Sequence, residues 1–413
     1  MSELANAPLE ELIWPRNGVN RVPAWVYTSQ EIYDREVERI FHGATWNYVG
    51  LDAEIPDPGD YRRSHIGPTA VIVARDTDGS VHVFQNRCAH RGAEFCRPAF
   101  GNTNAFICPY HQWTYNLRGE LAGVPFRRGL KGKGGMPADF QTAEHPLTPL
   151  KVQVLNGAIF ASFDQQMESV EAYLGPDNLK TFTTIFDGRK IQVLGHYRNR
   201  MIGNWKLYPE NIKDTYHGSL LHSFLVTFGL HRADSETVMV VDKLGRHGFL
   251  AARRSTSNTA KPTEVDTLHA PLKLADPRIV ELKPEFDSSW TVAMQAVWPG
   301  LITQRQSNTL GVRQIVPKGP NEFDLYWTMI GYADDTPEMR AHRIRQGNLM
   351  GPAGFIGAED GEALEYVQEG LRQRSDRPVV IDLGGNDTGT VDHAVSEAAI
   401  RGMYKYYREV MGL

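Results

Sequence analysis

The sequence predicts an α+β chain in two parts, an all-β domain inserted before a larger α+β domain. Residues 45–163 consist of short runs rich in β-branched residues, divided by turn signals. Beyond about Gln165, long helical periodicities mix with further β runs. At 413 residues the chain is long for one domain and comfortable for two.

Residues 1–44 read as a polar arm carrying one amphipathic helix, roughly Ser29 to Phe41, that packs with the larger domain. Within 45–163, the runs Ala70–Ala74, Val81–Phe84 and Lys151–Leu155 predict strands, with Asp78-Gly79 and Asn156-Gly157 as hairpin turns. Arg127 to Met136, with Lys131, Lys133 and four glycines, reads as a flexible loop. Residues 164–413 form the second domain, with β runs at Ser288–Trp298 and Glu322–Ile330 and a last helix from about Val395 to Met411.

A net charge of −5 without any Lys/Arg block argues against nucleic acid as a partner. No apolar run reaches membrane-spanning length, and the first residues lack the apolar core of a secretory signal. The expectation is a cytoplasmic protein with no membrane partner. Of three cysteines, Cys96 has no obvious partner, which suits a reducing compartment and a small buried side chain.

The chemistry begins with Cys88-Ala-His90 and, after seventeen intervening residues, Cys108-Pro-Tyr-His111. Two thiolates and two imidazoles are also what structural zinc takes, but zinc fingers usually present their cysteines together and their histidines together. Here each finger gives one of each. That arrangement suits a Rieske [2Fe–2S] centre, in which the cysteines hold one iron and the histidines the other. Such a centre relays electrons singly.

A second constellation runs from Glu210 through Asn211, Asp214 and His217 to His222. Asp214 and His217 are three apart, so on a helix they share a face. His217 and His222 are five apart, about 140° around an ideal helix, and Gly218-Ser219 offers the break that would bring them together. Two histidines and one carboxylate form the facial triad of mononuclear non-haem Fe(II) oxygenases. Taken alone, such a pair is more often two unrelated core or surface histidines; an electron relay upstream gives it a purpose. For the carboxylate, Asp360 shares a helical stripe with Leu364, Val367 and Leu371, an inward face where an acid is costly unless paired or metal-bound. Asp360 equally fits a first-turn acid at a helix start.

An anionic substrate needs an anchor. Arg313 alternates with apolar neighbours in Thr309–Val316 and either reaches inward or pairs at a sheet edge. Gln304, Arg305 and Gln306 sit in a β run whose inward face the pattern leaves open, and Asn211 lies beside the histidine motif. Arg401 shares a stripe with Glu397, Lys405 and Arg408 and reads as solvated.

Over nearly its whole length the chain resembles the large (α) subunits of Rieske non-haem iron aromatic-ring-hydroxylating oxygenases. The matching text is Cys88-Ala-His90-Arg91-Gly92 with Cys108-Pro-Tyr-His111-Gln112-Trp113, then Asn204-Trp205-Lys206 and Glu210-Asn211-x-x-Asp214-x-Tyr216-His217-x-x-x-Leu221-His222. The resemblance implies a Rieske domain followed by a helix-grip-like α+β catalytic domain. It implies that Cys88, His90, Cys108 and His111 hold the cluster, and that His217, His222 and Asp360 hold the iron. It makes Asp214 the acid that bridges a cluster histidine and an iron-bound histidine across a subunit boundary. The implied partners are a ferredoxin and an NADH-dependent reductase, with a homotrimeric α core joined by small β subunits, α3β3. Phe186–Lys190, Phe228–Asp234 and Gly351–Phe355 are similar to the branch acting on aromatic carboxylates: salicylate 5-hydroxylase and the anthranilate, ortho-halobenzoate and terephthalate dioxygenases. Salicylate, hydroxylated at C5 to gentisate, is the first expectation; the alternative is cis-dihydroxylation of anthranilate, an ortho-halobenzoate or terephthalate. Gln304, Asn211 and Arg313 are candidates for holding it.

Overall fold

A computed structural model describes residue 14 and residues 18–254, 273–373 and 377–413. Most of the expected polar arm therefore lies outside the described residues. The chain divides into two compact units, one spanning Phe41–Val170 and the other formed by the described residues before it together with Glu171–Leu413. No helix among the described residues is long and apolar enough to cross a membrane.

Three small antiparallel sheets build the Phe41–Val170 unit. Lys151–Leu155 and Ala158–Ser162 form a hairpin whose turn is Asn156-Gly157, both with positive φ, at 47° and 91°. This is the twist-matched turn that Asn-Gly favours. The strands Thr69–Arg75 and Val81–Gln85 are joined through Asp78-Gly79. Phe106–Ile107 and Thr114–Tyr115 pair around the second metal finger. Cys88 and Cys108 lie in the hydrophobic core of this unit with Phe84, Phe95, Phe106, Trp113 and Tyr115.

The other unit is built on one seven-stranded sheet. Its order is Ile191–Ile202, Glu322–Tyr332, Thr309–Gly319, Leu301–Gln306, Val292–Val297, Gly248–Ala252 and Thr237–Val241, every neighbouring pair antiparallel. Thr309–Gly319 is thus an interior strand, which removes the edge-strand reading of Arg313. The β run expected from Ser288 starts at Val292.

Helices depart from expectation at identifiable residues. Ser29 caps a helix over Gln30–Glu36, accepting from the Ile32 N–H at 3.3 Å, and the last turn, Val37–Phe41, widens to a π-turn. The expected single helix is thus two conformations. The last helix begins at Ala398, three residues late. In it Arg401 is fully buried, not solvated: it donates to the carbonyls of Ile381, Leu383 and Asp387, so backbone acceptors replace water around a charge.

One buried polar knot fixes the helix Leu207–Lys213, which carries Asn211 toward the site. Glu36 accepts from Lys206 Nζ at 2.6 Å, Trp205 Nε1 at 2.7 Å and Tyr407 Oη at 2.6 Å. These bonds tie the first helix, the Asn204-Trp-Lys206 motif and the last helix together. Glu210, one turn on, accepts from Tyr27 and Tyr404; burial outweighs those bonds and pushes its carboxyl up to about 7.

Candidate active site

The two metal fingers are built alike. Each loop closes with an N–H four residues on donating to the cysteine carbonyl, Gly92 to Cys88 and Gln112 to Cys108, both at 2.8 Å. In each the closing residue is left-handed, Gly92 at φ 71° and Gln112 at φ 55°. Glycine takes that conformation freely; for Gln112 it costs about 1–2 kcal/mol, held by the finger's closure. The rings of His90 and His111 stand 4.6 Å apart between centroids, His90 stacked on Trp113 at 4.8 Å. Both Nδ1 atoms are buried without a hydrogen-bond partner among the described residues. Burial raises the Cys108 thiol, and the Cys88 sulfur beside it adds to this, while the N–H groups of Tyr110 and His111 pull the other way. Two neighbouring sulfurs and two orphaned nitrogens on adjacent rings fit a [2Fe–2S] cluster: the buried nitrogens gain the partner they lack.

In the other unit, the Leu207–Lys213 helix ends at Asp214. Asp214 and His217 are therefore not on one helix. Asp214 Oδ1 instead accepts the backbone N–H groups of Tyr216 at 3.1 Å and His217 at 3.2 Å, which makes the turn into His217. A short 3-10 turn over His217–Ser219 then breaks the chain, as Gly218-Ser219 was expected to do. His222 then stands at the N-terminus of the short helix Ser223–Thr227.

Asp360 comes from the helix Phe355–Gln373, beyond its first turn, so it is no helix-start acid. Its buried stripe is Ile356, Asp360, Leu364 and Gln368. Val367 is exposed and Leu371 partly so; beyond Leu364 the buried stripe passes through Gln368 instead.

One ligand atom from each of His217, His222 and Asp360 lies within 4.8 Å of the others. Asp360 Oδ1 is 3.6 Å from His217 Nε2 and 3.3 Å from His222 Nε2. Donors about 2.1 Å from one ion and at right angles to each other are about 3 Å apart, so this set fits a small divalent metal. Asn211 Nδ2 donates to Asp360 Oδ1 at 3.1 Å and approaches His217 Nε2 at 3.4 Å. The far nitrogen of each histidine faces an acid: His222 Nδ1 to Glu359 at 2.9 Å, His217 Nδ1 to Asp214 at 3.6 Å. Burial pulls His217 down, but Asp214 and Asp360 outweigh it and raise it to about 10. Burial also opposes ionisation of Asp360, yet His217, His222 and Asn211 hold its carboxyl below the usual range.

Glu359 had no periodic signal in the sequence, since it precedes Asp360 and faces elsewhere. A carboxylate behind a metal histidine fixes its tautomer and raises its basicity. Glu359→Ala is expected to weaken mononuclear iron binding about 10–100-fold. Iron retention during dialysis against a graded chelator checks this, and unchanged retention would refute it.

Above these residues opens a cavity of about 870 Å³, counted with the solvent at its mouth. Leu225, Leu250, Val292, Met294 and Ile356 make it largely apolar; Asn211, His231, Arg254, Gln306 and Arg313 add polar groups. Arg313 is buried, donating Nη1 to Tyr208 Oη at 2.6 Å and both Nε and Nη2 to Gln304 Oε1, with its guanidinium 3.9 Å from the Trp327 ring centre. Gln304 thus orients Arg313 instead of lining the cavity, while Gln306 does line it. Arg305 faces the opposite way, against Phe286 and the Trp290 carbonyl. His231 and Arg254 were not singled out from sequence. Burial first, then His217 and His222, lower His231 to about 4.

A Cys₂His₂ cradle in an all-β unit and a His/His/Asp site under an apolar cavity define an iron protein with one electron-relay site and one open site. A model of the Rieske [2Fe–2S] domain matches residues 45–133, and one of the ring-hydroxylating α subunit catalytic domain matches residues 191–413. The chain belongs to the ring-hydroxylating oxygenase α subunits, and its cofactors are a Rieske [2Fe–2S] cluster and a mononuclear iron. It is 48% identical to the large oxygenase component of salicylate 5-hydroxylase from Ralstonia sp, covering 97% of this chain and 96% of that one. It is 42% identical to the anthranilate 1,2-dioxygenase large subunit of Burkholderia cepacia, over 97% and 95%. It is 40% identical to a terephthalate 1,2-dioxygenase α subunit of Comamonas sp, over 95% of each. Naphthalene 1,2-dioxygenase from Rhodococcus sp., solved with indole bound, superposes with a TM-score of 0.79 at 25% identity, covering 95% of this chain and 94% of that one.

Proposed function

We propose that this oxygenase α subunit hydroxylates the ring of an aromatic carboxylate, salicylate at C5 in the first instance. The observation that carries this is Arg313. Its guanidinium is buried in the wall of the cavity shared with His217, His222 and Asp360, and no carboxylate among the described residues pairs with it. A buried cation without a counter-ion is costly, and a substrate carboxylate supplies the missing partner. The 48% identity to a salicylate 5-hydroxylase component supports the same reading.

On this reading His217, His222 and Asp360 hold the mononuclear iron, and Cys88, His90, Cys108 and His111 hold the cluster. When bound, the cluster supplies electrons one at a time and the Fe(II) activates O₂. The chain's own residues do the rest. Gln304 and Tyr208 hold the Arg313 fork rigid so that it meets a carboxylate with little loss of entropy. Leu225, Leu250, Val292, Met294 and Ile356 clasp the ring and keep water out. Asn211 steadies the free geometry of Asp360 through its amide. Asp214 orients His217 and, by resemblance, links it to the cluster of a neighbouring subunit. A ferredoxin and an NADH-dependent reductase would deliver the electrons, to an α trimer with small β subunits. That several relatives are described as a component or a subunit supports a multi-part system. Free cysteines throughout the described residues support a cytoplasmic setting.

Arg313→Met is expected to raise the apparent KM for salicylate about 10–100-fold, the worth of a charged hydrogen-bonded pair, and to leave that for salicylamide unchanged. Steady-state kinetics with both compounds tests this. An unchanged KM for salicylate would overturn the anchor.

A further inference from the structure

His231 lines the same cavity as Arg313, in the stretch that follows the short helix Ser223–Thr227. Its position is fixed on both sides. The N–H groups of Leu230 and His231 both donate to the Leu225 carbonyl, at 2.8 and 3.2 Å, and the neighbouring Gly229, left-handed at φ 64°, offers its carbonyl to Arg254 Nε at 2.9 Å. The ring packs on Gly218: a Cβ there would lie 3.4 Å from His231 Cδ2, 3.5 Å from its Nε2 and 3.8 Å from His222 Cδ2. It therefore stands next to the iron-site histidines without joining the His217–His222–Asp360 set.

Other polar side chains of this lining are spent on the protein. Thr215 Oγ1 donates to the Ala394 carbonyl and Asn211 to Asp360. Arg254 donates to the carbonyls of Gly229 and Val280, and Thr291 Oγ1 accepts from the Arg254 N–H while donating to Ala252. The ring nitrogens of His231 have no partner among the described residues, and the ring lines the cavity. The imidazole is half-buried on a largely apolar lining, so its nitrogens face the cavity open to a ligand's donor or acceptor.

We propose that His231 recognises a hydrogen-bonding substituent ortho to the substrate's carboxylate, so that 2-hydroxy- and 2-aminobenzoates are taken in preference to benzoate or para-substituted acids. This rests on the aromatic-acid reading. With the carboxylate at Arg313 and the ring in the apolar clasp, a hydroxyl or amine on the adjacent carbon is the substituent able to satisfy a second wall. His231 is a specificity residue; it touches neither cluster nor iron.

The test is anaerobic calorimetric titration of the iron-loaded full-length protein with salicylate and with benzoate, for wild type, His231→Leu, His231→Gln and Arg313→Met. Wild type is expected to bind salicylate about tenfold tighter than benzoate, the scale of one satisfied buried hydrogen bond. His231→Leu should bring that ratio close to one by weakening salicylate alone, and His231→Gln should restore part of it. Arg313→Met should weaken both acids alike. An unchanged ratio in His231→Leu, or loss of iron from it, would overturn the role of His231 while leaving the aromatic-acid reading intact. Failure of wild type to bind either acid would overturn both.

Discussion

Asp360→Ala removes ring hydroxylation to background while the cluster's visible spectrum persists, and total iron per chain falls by about one third. The expectation follows from how the site is held. Asp360 is nearly buried, and its Oδ1 is the atom on which both histidine Nε2 groups and the Asn211 amide converge. Without it, the two histidines offer a metal only neutral nitrogens, and Asp214 and Glu359 behind them bind the rings and not the ion. The cluster ligands belong to the other compact unit, so the loss is selective. Iron analysis beside the absorbance spectrum checks this; full iron content in the variant would contradict it.

Asp214→Asn, by contrast, spares both metals and stops electron delivery, lowering product per turnover about a hundredfold. Asn keeps the Oδ1 that accepts the Tyr216 and His217 N–H groups, so the turn survives. It loses the charge that stands 3.6 Å from His217 Nδ1. Asp214→Ala loses both, and is expected to cost in addition about 1–2 kcal/mol of stability, as deleting an oxygen that caps backbone N–H groups does. Rapid mixing of reduced protein with O₂ and salicylate, following reoxidation of the cluster, separates delivery from binding. Reoxidation at the wild-type rate in Asp214→Asn would rule out the role.

How much of this was legible beforehand depends on how local each signal is. The metal fingers are closed loops of five residues, so their spacing alone carries the geometry. The hairpin at Asn156-Gly157 is similarly local. Helical phase puts Asp360 on an inward face without deciding its role, which came from the family resemblance, and it misassigns the later neighbours because the buried stripe continues through a polar residue. Gln368 is buried by its bonds to Asn204 N–H, Asn321 and the Tyr27 carbonyl, partners distant in sequence that no periodicity reveals. Arg401 misled for the same reason: three carbonyls replace the solvent that its charged stripe suggested. The facing of Gln304, Arg305 and Gln306 was undecidable by alternation, since all of them are buried and both faces of that strand are covered. His231 and Glu359 acquire meaning only from what the fold sets beside them.

The central claim is that this chain hydroxylates an aromatic acid at the His217–His222–Asp360 site. A single-turnover experiment tests it most directly: chemically reduced protein, carrying its own electrons, is mixed with O₂ and salicylate, and the products are separated by chromatography. The account predicts gentisate. Catechol formed only from anthranilate or an ortho-halobenzoate, or a cis-diol formed only from terephthalate, would contradict the substrate assignment. Consumption of the reducing equivalents with no ring product from any of these acids would contradict the account itself.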